Sequence, residues 1–295
     1  MDPFDDLLRG VRADGAGFSR TELSAPWALR FTDGPSLTLF APLRGEGWIS
    51  HGESGKPRPA RVGDTVIARG PGPFVLSDRP RPADAEPADR TVLLVGTYHV
   101  RGEVSRRLLD MLPPVLVVPD GDGCASIRDF LDAQPAACAP GQQVVADRLL
   151  DWLLVCTLRT WFDQPETVPP GWYHALGDDA IGSVLRAMHA APARPWTLAT
   201  LAGEAGVSRT TLAKRFALLV GEPPLTYLTN WRMALAADLL IESTATVAAV
   251  AHQVGYADAF GFSAAFKRFH GVSPSEYRRT CRTDADCAGA ECSPA

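Results

Sequence analysis

The sequence predicts an α+β protein of 295 residues, with a β-rich N-terminal half followed by an all-helical C-terminal third. Three observations lead there. Short apolar runs punctuated by Gly, Pro and Asp fill residues 1–100, helical periodicity replaces them from Glu103, and one helical pattern occurs twice between residues 197 and 277. Single hydrophobic cores stop growing at roughly 250–300 residues, so two domains with a helical connector are the natural expectation.

The β-rich half is read from the runs Trp27–Phe31, Leu37–Phe40, Gly47–Ile49, Thr65–Ala68, Phe74–Leu76 and Thr91–Val95. Strand-like runs recurring at about 8–12 residues with turn residues between them indicate a sandwich or a small barrel. The stretch 80–89 (PRPADAEPAD) is a polar loop. Leu108, Leu109 and Leu112 suit a short helix that Pro113-Pro114 stops. Residues 142–162 form the longest periodic segment, with Val145, Leu149, Trp152, Leu153, Cys156 and 158–161 making a stripe too broad for one neighbour. Such a helix is buried on two sides or forms a subunit interface. PETVPPG at 165–171 marks a linker, after which Asp178 is placed to cap a helix carrying Ile181, Val184, Leu185 and Met188.

Charge separates along the chain although the net value is only −5. Residues 1–180 hold 18 Lys/Arg against 25 Asp/Glu (−7), 181–280 hold 10 against 6 (+4), and 281–295 hold 1 against 3 (−2). The basic block is the part suited to face phosphates. No stretch approaches the roughly 20 apolar residues of a membrane span, and the acidic start MDPFDDLLRG lacks the order of a secretion signal. A cytoplasmic protein without membrane contact is expected. Its six cysteines are too few for a disulfide scaffold and are expected to stay reduced.

Residues 197–227 and 246–277 are two copies of one pattern: Leu201-Ala202, Ala205-Gly206-Val207, Ser208, Leu212, Phe216, Gly221, Pro224 and Tyr227 answer to Val250-Ala251, Val254-Gly255-Tyr256, Asp258, Phe262, Phe266, Gly271, Pro274 and Tyr277. In each, a short helix ends at a glycine that permits a tight turn, and Ser208 or Asp258 caps the next helix. That second helix buries Leu212 and Phe216, or Phe262, Phe266 and Phe269, because positions four apart share a face. A helix, a glycine turn and a helix with one face free form a helix-turn-helix. The free face of the first copy carries Arg209, Thr210, Ala213 and Lys214 with Arg215 alongside. Arg or Lys suits guanine edges and a Thr methyl suits thymine. The second copy presents Ala259, Phe260 and Ala264, with Lys267 and Arg268 further along, a set suited to phosphate anchoring and apolar thymine contact. Between them, residues 225–241 read as one continuous helix that fixes their spacing.

Taken together, Ser208-x3-Leu212-x3-Phe216, Gly221-x2-Pro224-x2-Tyr227-Leu228-x3-Arg232, Val254-Gly255-Tyr256, Phe266-Lys267-Arg268 and Gly271-Val-Ser-Pro274-x2-Tyr277-Arg278 make residues 195–279 resemble the DNA-binding domain of the AraC/XylS transcription regulators. The resemblance implies two helix-turn-helix units on a rigid linker helix, double-stranded DNA and RNA polymerase as partners, and no enzymatic activity or cofactor. One departure stands out: family members often carry a polar or basic residue where this chain has Ala264. More loosely, Asp2-Pro3 to Arg9, Glu22-Leu23-Ser24-x-Pro26-Trp27, Gly45-x-Gly47-Trp48 and Gly63-Asp64 resemble the cupin-like sensory domain of some of these regulators. That resemblance implies a small β-barrel followed by helices that form a homodimer. The expected division is 1–102 sensory β domain, 103–164 dimerisation helices, 165–177 linker, 178–280 DNA-binding domain and 281–295 disordered tail.

A barrel pocket for a small-molecule effector would draw on Trp27, Phe31, His51 and Tyr98. A metal-dependent cupin enzyme needs several converging His and a carboxylate, whereas His51 stands alone and Phe74 occupies the place of a ligand histidine, so no metal site is expected. Cys281, Cys287 and Cys292 suit a thiol switch or a soft-metal clamp, but their spacing matches no compact zinc pattern. Cys138 and Cys156, among apolar residues, read as small core residues.

Overall fold

The computed structural model describes residues 2–13, 19–32, 35–52, 55–80, 90–100, 102–119, 126, 130, 140–165, 167 and 169–281. Contacts divide the chain into two units, one of Met1–Leu7, Gly102–Val104 and Pro170–Ala295, the other of Leu8–Arg101 and Ser105–Pro169.

The second of these is built on antiparallel strands: β1 (Val11–Ala13), β2 (Ser19–Leu23), β3 (Ala28–Phe31), β4 (Leu37–Arg44), β5 (Gly47–His51), β6 (Arg58–Ala60), β7 (Thr65–Arg69), β8 (Phe74–Ser77), β9 (Thr91–Val100) and β10 (Val115–Val118). They form two sheets rather than the closed barrel the cupin resemblance implied. A six-stranded sheet runs β1-β9-β4-β7-β10 with β2 also on β9, and a four-stranded sheet runs β3-β8-β5-β6. Phe40, Val66, Ala68, Leu93 and Val95 of the first meet Ile49, Phe74 and Leu76 of the second in one core. β4 and β9 are buried along most of their length, which is why they read as continuous apolar runs. The helix α3 (Gln142–Phe162) covers the other side of the larger sheet, after α1 (Pro3–Leu8) and α2 (Gly102–Met111) earlier in the chain. Leu150 of α3 sits where a Cβ on Gly96 of β9 would come within 2.9 Å of its side chain. The Tyr98 hydroxyl donates to the Leu150 carbonyl at 2.7 Å, and Asp151 accepts the Ala13 amide at 2.8 Å. Ala146, Leu150, Leu153, Leu154, Leu158 and Phe162 form the buried side of α3, whereas Val144, Val145 and Trp152 are exposed, Trp152 by 56%.

The other unit is helical: α4 (Gly171–Ala175), α5 (Asp179–Ala190), α6 (Leu198–Glu204), α7 (Arg209–Val220), α8 (Pro224–Glu242), α9 (Val247–Gln253) and α10 (Ala259–His270). The region expected to be a plain linker thus contains α4. Two cores form. Ile181, Val184, Leu185, Met188, Leu201, Leu212 and Phe216 surround Tyr227 and Leu228 at the start of α8, while Val250, Ala251, Val254, Phe262 and Phe266 surround Met233, Ala236, Ala237 and Leu240 at its end. α8 buries residues on more than one face because it serves both cores. α1 packs into this unit, with Phe4 edge-on to Tyr173 at 5.9 Å. Its Asp6 carboxylate lies 2.7 Å from Nδ1 of buried His189, whose Nε2 lies 2.8 Å from the Tyr227 hydroxyl.

Candidate nucleic-acid interface

Both halves of the duplication adopt the same local geometry. Thr197 and Thr246 cap α6 and α9 by accepting the amides of Thr200 and Ala249, each at 3.1 Å. The turn glycines Gly206 and Gly255 take φ of 65° and 84°. Directly after them, the Val207 amide donates to the Ala202 carbonyl at 3.0 Å and the Tyr256 amide to the Ala251 carbonyl at 2.9 Å. Ser208 caps α7 by accepting the Thr211 amide at 3.1 Å, and Asp258 caps α10 by accepting those of Phe260 and Gly261 at 2.9 and 2.8 Å. Leu212 and Phe216, and likewise Phe262 and Phe266, are fully buried, which fixes the face that each second helix turns outward. Phe269, expected among the buried residues of α10, is instead 41% exposed.

The outward faces differ in chemistry. Arg209, Thr210 and Lys214 of α7 are all exposed. Arg215 is exposed too, but its guanidinium pairs with Asp178, at 2.9 Å from Nε, and so braces α7 against the cap of α5. The Ile181 amide, and then Arg215, hold the Asp178 carboxyl below the usual range against the opposing effect of burial. On α10, Phe260 is 90% exposed, Ala264, Lys267 and Arg268 are exposed, and Ala259 is half-buried. The Phe260 ring, at the start of a capped helix, therefore gains nothing from burial in the folded unit.

Two arginines hold the frame. Arg232, half-way along α8, donates to the carbonyls of Pro192 and Arg194, each at 2.8 Å, and Arg278 donates to the Leu240 and Ala245 carbonyls. Both positions belong to the sequence pattern quoted above, but their carbonyl partners 33–40 residues away carry no sequence signal.

The four pocket residues proposed in the N-terminal half are not brought together. Tyr98 is fully buried beneath α3. Phe31 stacks on Phe74 at 4.5 Å inside the two-sheet core. His51 opens onto a cavity of about 480 Å³ with Ser36, Arg69 and Arg106. Trp27 donates to the Thr91 hydroxyl at 3.3 Å and borders a different cavity. Cys281 and Cys156 are half-buried free thiols, whereas Cys138, Cys287 and Cys292 lie outside the described residues. Among the described residues no helix is long and apolar enough to cross a membrane.

Comparison with known proteins matches residues 2–163 to the cupin family and residues 201–280 to the helix-turn-helix domain. A putative AraC-like transcription regulator of Streptomyces lividans is 34% identical over 95% of this chain and 98% of its own. The chain belongs to the AraC-like transcription regulators. A Streptomyces antibioticus member of the family, also named a putative AraC-like transcription regulator, is 34% identical over 95% of this chain and 99% of its own. The HTH-type transcriptional regulator AlkR of Acinetobacter baylyi is 35% identical over 65% of this chain and 64% of its own. The AraC-like architecture of a cupin-family front half and a duplicated helix-turn-helix back half is therefore the architecture of this chain.

Proposed function

We propose that this AraC-like regulator controls transcription in the cytoplasm by laying α7 and α10 into major grooves of double-stranded DNA, under the control of a small-molecule effector received by its N-terminal half. The duplicated pair of capped helices with outward faces carries the proposal. Arg209, Lys214 and Thr210 read base edges. Lys267 and Arg268 bind phosphates, while Phe260 and Ala259 meet thymine methyl groups. Arg215 acts through the pose of α7 rather than by free reach. A homodimer is supported by the row Val145, Leu149, Trp152 and Cys156, which recurs at helical spacing along α3 opposite its buried side. RNA polymerase is the partner through which bound protein would alter transcription, and no catalytic role is assigned. The thiol-switch reading of the tail has only Cys281 within the described residues to support it.

A map of genomic DNA bound by the protein, followed by band shifts on the recovered sites, tests the proposal. Recovery of a shared motif spanning two consecutive major grooves is expected. Binding that shows no sequence preference at moderate salt would refute base reading by α7.

A further inference from the structure

The outer face of the four-stranded sheet holds a cavity of about 670 Å³, within the 300–1,000 Å³ usual for small-molecule sites. Strand alternation explains its lining. Leu29, Phe31, Ile49, Phe74 and Leu76 turn into the core, so Ala28, Arg30, Ser50, Val75 and Ser77 must face the other way. Apart from Arg30 the floor is thus made of small side chains and Val75, and Gly52, Gly55, Lys56 and Pro57 border it together with Trp27.

The charge at its edge is one-sided. Asp78 also lines the cavity, but Arg79 neutralises it through Nη2 to the carboxylate at 3.0 Å. Arg30 and Lys56 have no partner among the described residues, and the Ser50 hydroxyl is a further donor. Two cations uncompensated among the described residues, beside a floor of small side chains and Val75, match a ligand that carries one anionic group on an apolar body.

We infer that this outer-sheet groove binds an amphipathic organic anion, an aromatic or aliphatic carboxylate or sulfonate, with the anionic group between Arg30 and Lys56 and the apolar body over Val75 and Ala28. Its role as the effector input rests on the regulator reading above; the binding itself does not. The site is separate from the space between the two sheets, which side chains fill.

The test uses the full chain and two dyes. 8-Anilinonaphthalene-1-sulfonate is the anionic probe, and N-phenyl-1-naphthylamine carries a similar apolar body without charge. The expected result is saturable binding of the sulfonate that weakens at least about tenfold in the Arg30→Ala, Lys56→Ala double variant. Decanoate or 1-naphthoate should displace the dye from the wild type, and the neutral amine should bind equally to both proteins. Because Arg30 and Lys56 are exposed, the variant keeps the wild-type melting temperature. A sulfonate affinity unchanged by the double substitution, or abolished only by Trp152→Glu on α3, overturns the site. Band shifts with the same proteins separate the two readings. Loss of dye binding with unaltered affinity for DNA supports the groove, whereas a wild type that binds the dye but no DNA sinks the regulator reading and leaves the groove standing.

Discussion

The two turn glycines occupy equivalent places in the duplication but sit in different surroundings, so one substitution made twice tests the geometry against an internal control. Alanine at Gly206 meets no heavy atom within 4 Å, so its cost is only the left-handed backbone at φ 65°, roughly 1–2 kcal/mol for an L-residue. Alanine at Gly255 incurs that same cost at φ 84°, and its Cβ would also lie 2.7 Å from the Ala193 carbonyl oxygen and 2.8 Å from the Arg232 guanidinium. The carbonyl belongs to backbone that cannot swing away like a side-chain tip. Overpacking of this kind adds about 1–3 kcal/mol. The guanidinium that must give way is the one holding the Pro192 and Arg194 carbonyls, and bonds to a charged donor contribute about 1.5–3 kcal/mol each. Gly255→Ala should therefore destabilise the helical unit by on the order of 2–4 kcal/mol more than Gly206→Ala. Urea unfolding of both variants followed by far-ultraviolet circular dichroism measures the difference, and hydrogen exchange locates it. Extra exchange in Gly255→Ala should concentrate in α9, α10 and the segment 191–196. Equal destabilisation within about 0.5 kcal/mol, the usual scale of an innocuous change, would show that the tight packing around Gly255 is wrong.

Lys214→Ala should weaken operator binding by about 1–3 kcal/mol and relax preference at one base position, while Lys267→Ala should weaken all sequences alike and reduce the slope of log affinity against log salt by about 0.9; competition band shifts at several salt concentrations separate the two. Phe260→Ala should leave the melting temperature unchanged, because the ring is 90% exposed, yet lower affinity for operators with thymine at its contact. On the proposed homodimer, the wild type should sediment as a dimer and Trp152→Glu as a monomer without loss of helix content. Asp238 supplies the pH dependence: burial raises its carboxyl from 3.8 to about 6, against the amides of Glu103 and Val104, which favour the charged form. The folded protein therefore holds that proton where the unfolded chain has released it, and stability falls as pH rises from about 4 to about 6. A shift of two units corresponds to about 2–3 kcal/mol; Asp238→Asn should remove that slope, and urea midpoints at pH 4, 5, 6 and 7 for both proteins measure it.

Most of the helical unit was legible because its signals are local. Ser or Asp caps, turn glycines and four-residue apolar spacing all act within a few residues, so Ser208, Asp258 and Asp178 cap the helices the sequence assigned to them. The strands of the front half were legible both where two faces are buried, as in β4 and β9, and where burial alternates, as in β3, β5 and β8. The three-residue β1 and β6 have too little length for a period to show. Val115–Val118, an apolar run of four after two prolines, pairs with β7 across almost fifty residues, and nothing local demands that. The pocket failed to assemble for a simpler reason. Aromatic identity selected Phe31, but alternation sends Phe31 inward and its neighbour Arg30 outward, so the cavity is lined by the residue beside the one expected. The Asp6–His189 contact joins positions 183 apart and has no sequence signature at all.

The asymmetry between the two copies becomes intelligible once α8 is considered as a shared part. Its 19 residues span about 28 Å at 1.5 Å per residue, close to the roughly 34 Å between successive major-groove turns. Its first turns belong to one core and its last turns to the other, so neither recognition helix can tilt without opening apolar surface on the rod that carries both. With the spacing fixed in this way, the second unit need not discriminate for itself. On the proposed reading, a cationic reader on α7 would select the site, while an apolar and phosphate-binding surface on α10 would confirm register one turn away. Ala264 and Phe260 are then suitable residues rather than losses, because contact with a thymine methyl needs a small or flat apolar partner and no hydrogen bond. Discrimination at the α10 half-site should accordingly distinguish thymine from uracil more sharply than the α7 half-site does, since uracil removes only the methyl group. A band-shift comparison of operators carrying single thymine-to-uracil replacements in each half would show this, and equal losses in the two halves would deny the division of labour.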